Sequence, residues 1–159
     1  MRTLLTLLLS LIMTQAQADT TDWRASGTPE EQRTNLVKLI PGTAHWMVEM
    51  GARYQNLYWA IQQERWEFAQ YQVEEMESLI NTVILARPKR ATTAEQFLAT
   101  AIEPLERALA GRDSERSNSA FLQLRNECIA CHHKNDHGFI VLPVAPAWAP
   151  SPVLNLPRP

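Results

Sequence analysis

Residues 43–61, TAHWMVEMGARYQNLYWAI, set Met47, Met50, Tyr54, Leu57 and Ile61 at successive spacings of 3, 4, 3 and 4. That is the apolar stripe of a helix packed along one side. Thr43 is a fair N-cap for it. Working outward, Trp66, Ala69, Val73, Met76, Ile80 and Val83 make a second stripe. Gln62-Gln63-Glu64 is the place for a turn between the two. It holds neither Gly nor Pro, so one continuous helix stays open as the alternative. The second helix should end at Arg87, because Pro88 disfavours a helical residue before it. Thr92 or Thr93 can cap a third helix with the stripe Phe97, Ala101, Leu105 and Ala108. Pro104 should kink it, and Gly111 is a natural stop. Asp113 or Ser114 starts a fourth, with Ser117, Phe121, Leu124, Cys128 and Cys131 on one face. Short connections between four such stripes predict an all-α chain, an antiparallel four-helix bundle over residues 41–137. Upstream, residues 19–40 read as a leader. Its polar start gives way over Glu30–Ile40 to a short helix or turn that stops at Pro41-Gly42. Downstream, residues 138–159 read as an extended Pro-rich tail.

The composition agrees with that pattern. A chain of 159 residues fits one domain, and 45% hydrophobic with 20% charged residues supplies an ordinary core. Only 5 glycines stand against 10 prolines, which excludes a collagen-like chain and argues against a sandwich with many Gly-rich turns. A net charge of -2 is too small for a chain whose work is gripping nucleic acid. No apolar run reaches the roughly 18–20 residues of a membrane span. Residues 1–18, MRTLLTLLLSLIMTQAQA, have the parts of a secretory signal: Arg2, the short apolar stretch from Leu4 to Met13, and an A-x-A site at Ala16 and Ala18. No cysteine follows that site, so no lipid anchor is indicated. The expectation is export, to the periplasm.

The fourth helix carries Cys128-Ile129-Ala130-Cys131-His132, a C-x-x-C-H motif. This is the attachment site of c-type haem. Two thiols at that spacing can add to the two vinyl groups of the porphyrin, and the histidine then supplies an axial imidazole. The pattern arises by chance in roughly 1 in 3,000 shuffles of this composition. The alternatives are a thioredoxin-like redox pair, a zinc site drawing on His133 or His137, and a plain disulfide. A thioredoxin-like pair wants a βαβ neighbourhood and a thiolate at a helix N-terminus. A zinc site lacks a second C-x-x-C or a spaced His pair. One covalent haem c, on Cys128, Cys131 and His132, is the expected cofactor.

These residues resemble the class II cytochromes c, the cytochrome c′-like bundles, over about Pro41 to His133. The chain also looks similar to a family of small exported proteobacterial c-type haem proteins. The matching residues there are Ile40-Pro41-Gly42 with Met47, then Trp66 to Tyr71, then His137-Gly138-Phe139-Ile140-Val141. It departs from the c′ pattern in Lys134-Asn135-Asp136 and in the 23 residues that run on to Pro159. The resemblance implies that the residue facing the iron comes from early in the first bundle helix. A methionine there implies a low-spin electron carrier, and an apolar residue implies a five-coordinate gas binder. It points to Met47 as sixth ligand, with Met50 next and an open site as the alternative. The implied partners are other redox proteins, together with a second copy through the first two bundle helices. No catalytic set is expected; His45 is the one weak candidate for a peroxidase-like distal base. Arg125 or Lys134 could pair with a haem propionate. The tail favours polyproline II. It has three open fates: folding over the haem edge with Trp148 as a wedge, staying disordered, or docking a partner.

Overall fold

The computed structural model describes residues 22–148. Residues 1–18, read above as a secretory signal, and the tail beyond Trp148 therefore lie outside the described residues. The chain divides into two compact units, one up to Leu39 and one from Ile40 onward. The first holds α1 (Trp23–Ser26) and α2 (Pro29–Leu39). A capping box starts α2: Thr28 Oγ1 accepts from Glu31 N, and Glu31 Oε2 accepts from Thr28 N at 2.8 Å.

The second unit holds α3 (Thr43–Gln62), α4 (Trp66–Ala86), a 3₁₀ turn (Pro88–Arg90), α5 (Ala91–Phe97), a π-helical turn (Leu98–Ile102), α6 (Glu103–Ala110) and α7 (Ser114–Lys134). The fold is all-helical, with no strand among the described residues. α3 packs on α4, α4 on α5 and α6, those two on α7, and α7 on α3. The stripes face inward as their spacing requires. Leu57, Ala69, Val73, Met76, Leu105 and Leu124 are fully buried. Each such side chain of Leu or Met size contributes about 1.5–3 kcal/mol relative to leaving it in water.

The helix ends differ in detail from the sequence expectation. Gly42, not Thr43, is the N-cap of α3. Neither Thr92 nor Thr93 caps α5; the 3₁₀ turn feeds directly into it, and Thr93 Oγ1 donates back to Arg90 O at 3.0 Å. Asp113 does cap α7, accepting from Arg116 N at 2.8 Å. Separate helices α3 and α4 replace the single long one left open. The turn between them is a Schellman motif: Arg65 N–H donates to Ala60 O at 2.8 Å and Glu64 N–H to Ile61 O at 3.1 Å. Its left-handed residue is Glu64, at φ 54°. At the end of α6 the left-handed residue is Arg112, φ 50°, while Gly111 keeps an ordinary φ of -75°.

Pro104 follows directly on the π turn, as the second residue of α6. In that turn Glu103 N–H reaches back five residues to Leu98 O. Thr100 O, which would have taken a Pro104 N–H, accepts Gln123 Nε2 at 2.7 Å instead. The extra residue rotates the stripe. Ile102 and Leu109 are buried in the core, and Ala108 is only half-buried.

Candidate functional site

The 3–4 rhythm of α7 carries Cys128 and Cys131 to its core-facing side near its end. The helix stops in a second Schellman motif. Asn135 is the C-cap, Asp136 takes the left-handed φ of 65°, and His137 N–H donates to His132 O at 2.8 Å. The reversal brings His137, Ile140 and Leu142 back to the cavity that Cys128, Cys131 and His132 line. The strap is then tied down. Arg125 Nε donates to Leu142 O at 2.8 Å and Tyr54 Oη to Pro143 O at 2.6 Å. Gln55 Nε2 donates to Ala147 O, and Trp148 meets Trp59 edge-on at 5.5 Å. The described part of the tail thus folds back on α3 and α7. Ile140 and Leu142, not Trp148, reach the cavity wall.

The cavity holds about 650 Å³, inside the roughly 300–1,000 Å³ range of small-molecule and cofactor sites. Its wall is mainly apolar. Met47 and Met50 enter from α3, Met76 and Ile80 from α4, and Phe97 from α5. A Cβ placed on Gly51 of α3 would meet nothing within 4 Å, so the helix backbone lies bare against this space.

Burial sets the chemistry of the donors. It pushes the Cys128 thiol up to about 12, with the neighbouring Cys131 and Glu127 acting the same way. Cys131 is raised too, chiefly by burial and against its hydrogen bond from Asn135. Both thiols are free. Burial pulls His132 below its ordinary value, against the backbone of Ile140. Its Nδ1 is buried without a hydrogen-bond partner. Such an orphan costs about 1–3 kcal/mol. Two neutral thiols and a neutral imidazole on an apolar chamber fit a large flat group that bonds both sulfurs and takes an axial nitrogen. They do not suit a redox dithiol, which needs a low-pKa thiolate; here the pair sits at the negative end of a helix. Among the described residues, no group of three or more His, Cys, Asp or Glu is placed to hold a metal ion by itself.

Cys128, Cys131, His132 and Met47, the site residues expected from sequence, all line this one cavity, and Met50 joins them. Met50 is 8% exposed, while Met47 is half-buried. His45 is exposed and is not on the wall. The His133 ring lies against Gly138, where a Cβ would collide with it. Arg125 is spent on the strap, and Lys134 Nζ donates to Gln96 Oε1 at 2.8 Å. Among the polar residues on the wall, Arg90, Thr93 and Asn135 were not read from the sequence as site residues. Asn135 Nδ2 donates to Cys131 O at 2.8 Å and to Thr93 Oγ1 at 3.0 Å, and its Oδ1 accepts Arg90 Nη1 at 2.6 Å. The available signal was an Asn directly after the last helical turn, a residue type favoured at helix C-termini. Compared with known protein families, curated proteins and solved structures, the chain matches none.

Proposed function

We propose that this chain is an exported mono-haem c-type cytochrome that carries one electron at a time between partner redox proteins. One observation carries the reading: both thiols and the histidine of the C-x-x-C-H motif line a single apolar cavity of cofactor size. Haem, when bound, supplies the iron that gains and loses the electron. The chain's own residues do the rest. Cys128 and Cys131 would hold the porphyrin edge through thioether bonds. His132 would hold the iron through its imidazole, and burial favours the neutral ring that can do so. Met47, on the facing helix, would supply the second protein ligand to the iron. The apolar walls and the strap from His137 to Leu142 would shield the porphyrin faces. In this reading α3, α4, the α5–α6 column and α7 form an antiparallel four-helix bundle, and a homodimer would form through α3 and α4. The periplasm is the proposed compartment.

The second reading is a five-coordinate gas-binding protein of the cytochrome c′ type. It is favoured by the apolar side chains that flank both methionines on the wall, among them Val48 and Ile80. Absorption spectra of protein matured with a cytochrome c assembly system separate the two. A covalent c-type spectrum with an oxidised band near ~695 nm, unchanged by CO after reduction, supports His–Met ligation and an electron carrier. A high-spin reduced spectrum that shifts with CO removes Met47 from the iron and favours the gas binder. Absence of covalent haem in that host would sink both.

A further inference from the structure

We infer that Arg90 is the carboxylate anchor of the cavity: its guanidinium would take a propionate of the bound porphyrin. The inference rests on the haem reading above and extends it to the side of the ligand that carries charge. Among the described residues the wall contains one Arg and no Asp, Glu or Lys. Arg90 is half-buried. Its Nη1 is clamped by Asn135, to Oδ1 at 2.6 Å and to the backbone O at 3.1 Å. No carboxylate pairs with it among the described residues, and its Nε and Nη2 have no hydrogen-bond partner there.

A partly desolvated cation facing an apolar chamber is unfavourable unless a counter-charge arrives. A guanidinium matches a carboxylate in particular, through a planar fork of N–H donors. Here the fork is already oriented, because Asn135 holds one arm while the other stays available. The chamber therefore selects an apolar ligand with an acidic edge. Arg125 and Lys134, the cations nearest the motif in sequence, are occupied by Leu142 O and Gln96.

The test uses the full chain produced without haem-attachment machinery, titrated with haemin and with haemin dimethyl ester, which lacks the free carboxylates. Wild-type protein should bind haemin more tightly than the ester. Arg90→Gln should weaken haemin binding by about tenfold or more and leave the ester unchanged, as loss of a charge-assisted pair requires. Equal loss for both porphyrins would make Arg90 a structural tie to Asn135 and overturn the inference. So would no loss for either. Should Arg90→Gln fail to fold, the wild-type comparison decides alone, since equal affinity for haemin and ester means that the carboxylates are not recognised. Failure of wild-type protein to bind either porphyrin would overturn this inference, while the haem reading stands or falls separately on covalent attachment in the assembly host.

Discussion

Asn135 is the residue whose loss should cost most per atom removed. Its side chain makes two ties from the end of α7 to the 3₁₀ turn and α5, and a third back to α7 itself. Nδ2 donates to Cys131 O and Thr93 Oγ1, and Oδ1 accepts from the Arg90 guanidinium. A neutral bond of this kind contributes about 0.5–1.5 kcal/mol net, and one to a charged group about 1.5–3 kcal/mol. Simple addition gives about 2.5–6 kcal/mol. The network is only half-buried, so water would replace part of it, and its members are coupled rather than additive. Asn135→Ala should therefore cost about 2–4 kcal/mol. Urea unfolding of the full chain followed by helical circular dichroism reads this as a lower midpoint at unchanged slope. Asn135→Asp separates the parts. It keeps the acceptor for Arg90 but loses both donors, and it sets a carboxylate against the Cys131 carbonyl, so it should fall between wild type and alanine. A cost below about 0.5 kcal/mol for Asn135→Ala, the range of an ordinary surface change, would refute the claim that this network fixes the motif-bearing turn.

Further outcomes follow from the same geometry. Glu64→Gly should relieve about 0.5–1 kcal/mol of left-handed strain at φ 54° while losing the exposed bond from Ser114 Oγ at 2.8 Å; measured against Glu64→Ala, which loses the same bond but keeps the Cβ, it should be the more stable, and the reverse order would contradict that turn. Tyr54→Phe removes only the hydroxyl that holds Pro143 O. It should cost about 0.5–1.5 kcal/mol and speed proteolytic cleavage within residues 143–148, and unchanged cleavage would mean that the strap is not held there. In the chain with both thiols free, Cys128 should resist iodoacetamide at pH 8 unless the chain is unfolded. The buried thiol titrates toward 12, while the unfolded thiol titrates near 9, so stability is present below pH 9 and declines as pH rises between the two. Rapid alkylation of the folded chain at pH 8 would show that Cys128 is not buried as described.

How much of this was legible in the sequence depended on whether a residue acts through a repeat or through a meeting point. The stripe Met50, Tyr54, Leu57, Ile61 and the stripe Val73, Met76, Ile80, Val83 were readable, because each is a period that one segment sets for itself. The turn joining them was located but not typed. A left-handed Glu64 leaves no glycine to read, and the Schellman bonds that stabilise it are made by backbone alone. The third column misled further on. Pro104 announces a disturbance, but it does not say that a π turn precedes it, nor what satisfies the carbonyl of Thr100 that its missing N–H leaves free. Gln123 on α7 supplies the donor, and no local pattern in residues 91–110 contains it.

The site divides along the same line. Cys128, Cys131 and His132 share one helix, so their spacing announces their chemistry. What the spacing leaves undetermined is the chamber, because its walls come from positions spread between Gly42 and Leu142. Arg90 illustrates the difference. In sequence it is one of three basic residues within Arg87–Arg90, indistinguishable from a solvated run. In space Arg87 is held at the start of α3, donating to Ile40 O at 3.0 Å and stacking over Trp46, while Arg90 alone turns to the cavity. Asn135 holds that orientation from the C-cap of α7, just before the left-handed Asp136 turns the chain back. The chain thus places its apolar and sulfur chemistry through helical periodicity and its one charged contact through a helix end. Substitutions on α7's inner face should accordingly disturb packing and, on the haem reading, covalent attachment together, whereas substitutions at the 135–137 reversal should release Arg90 while the helices stay in register.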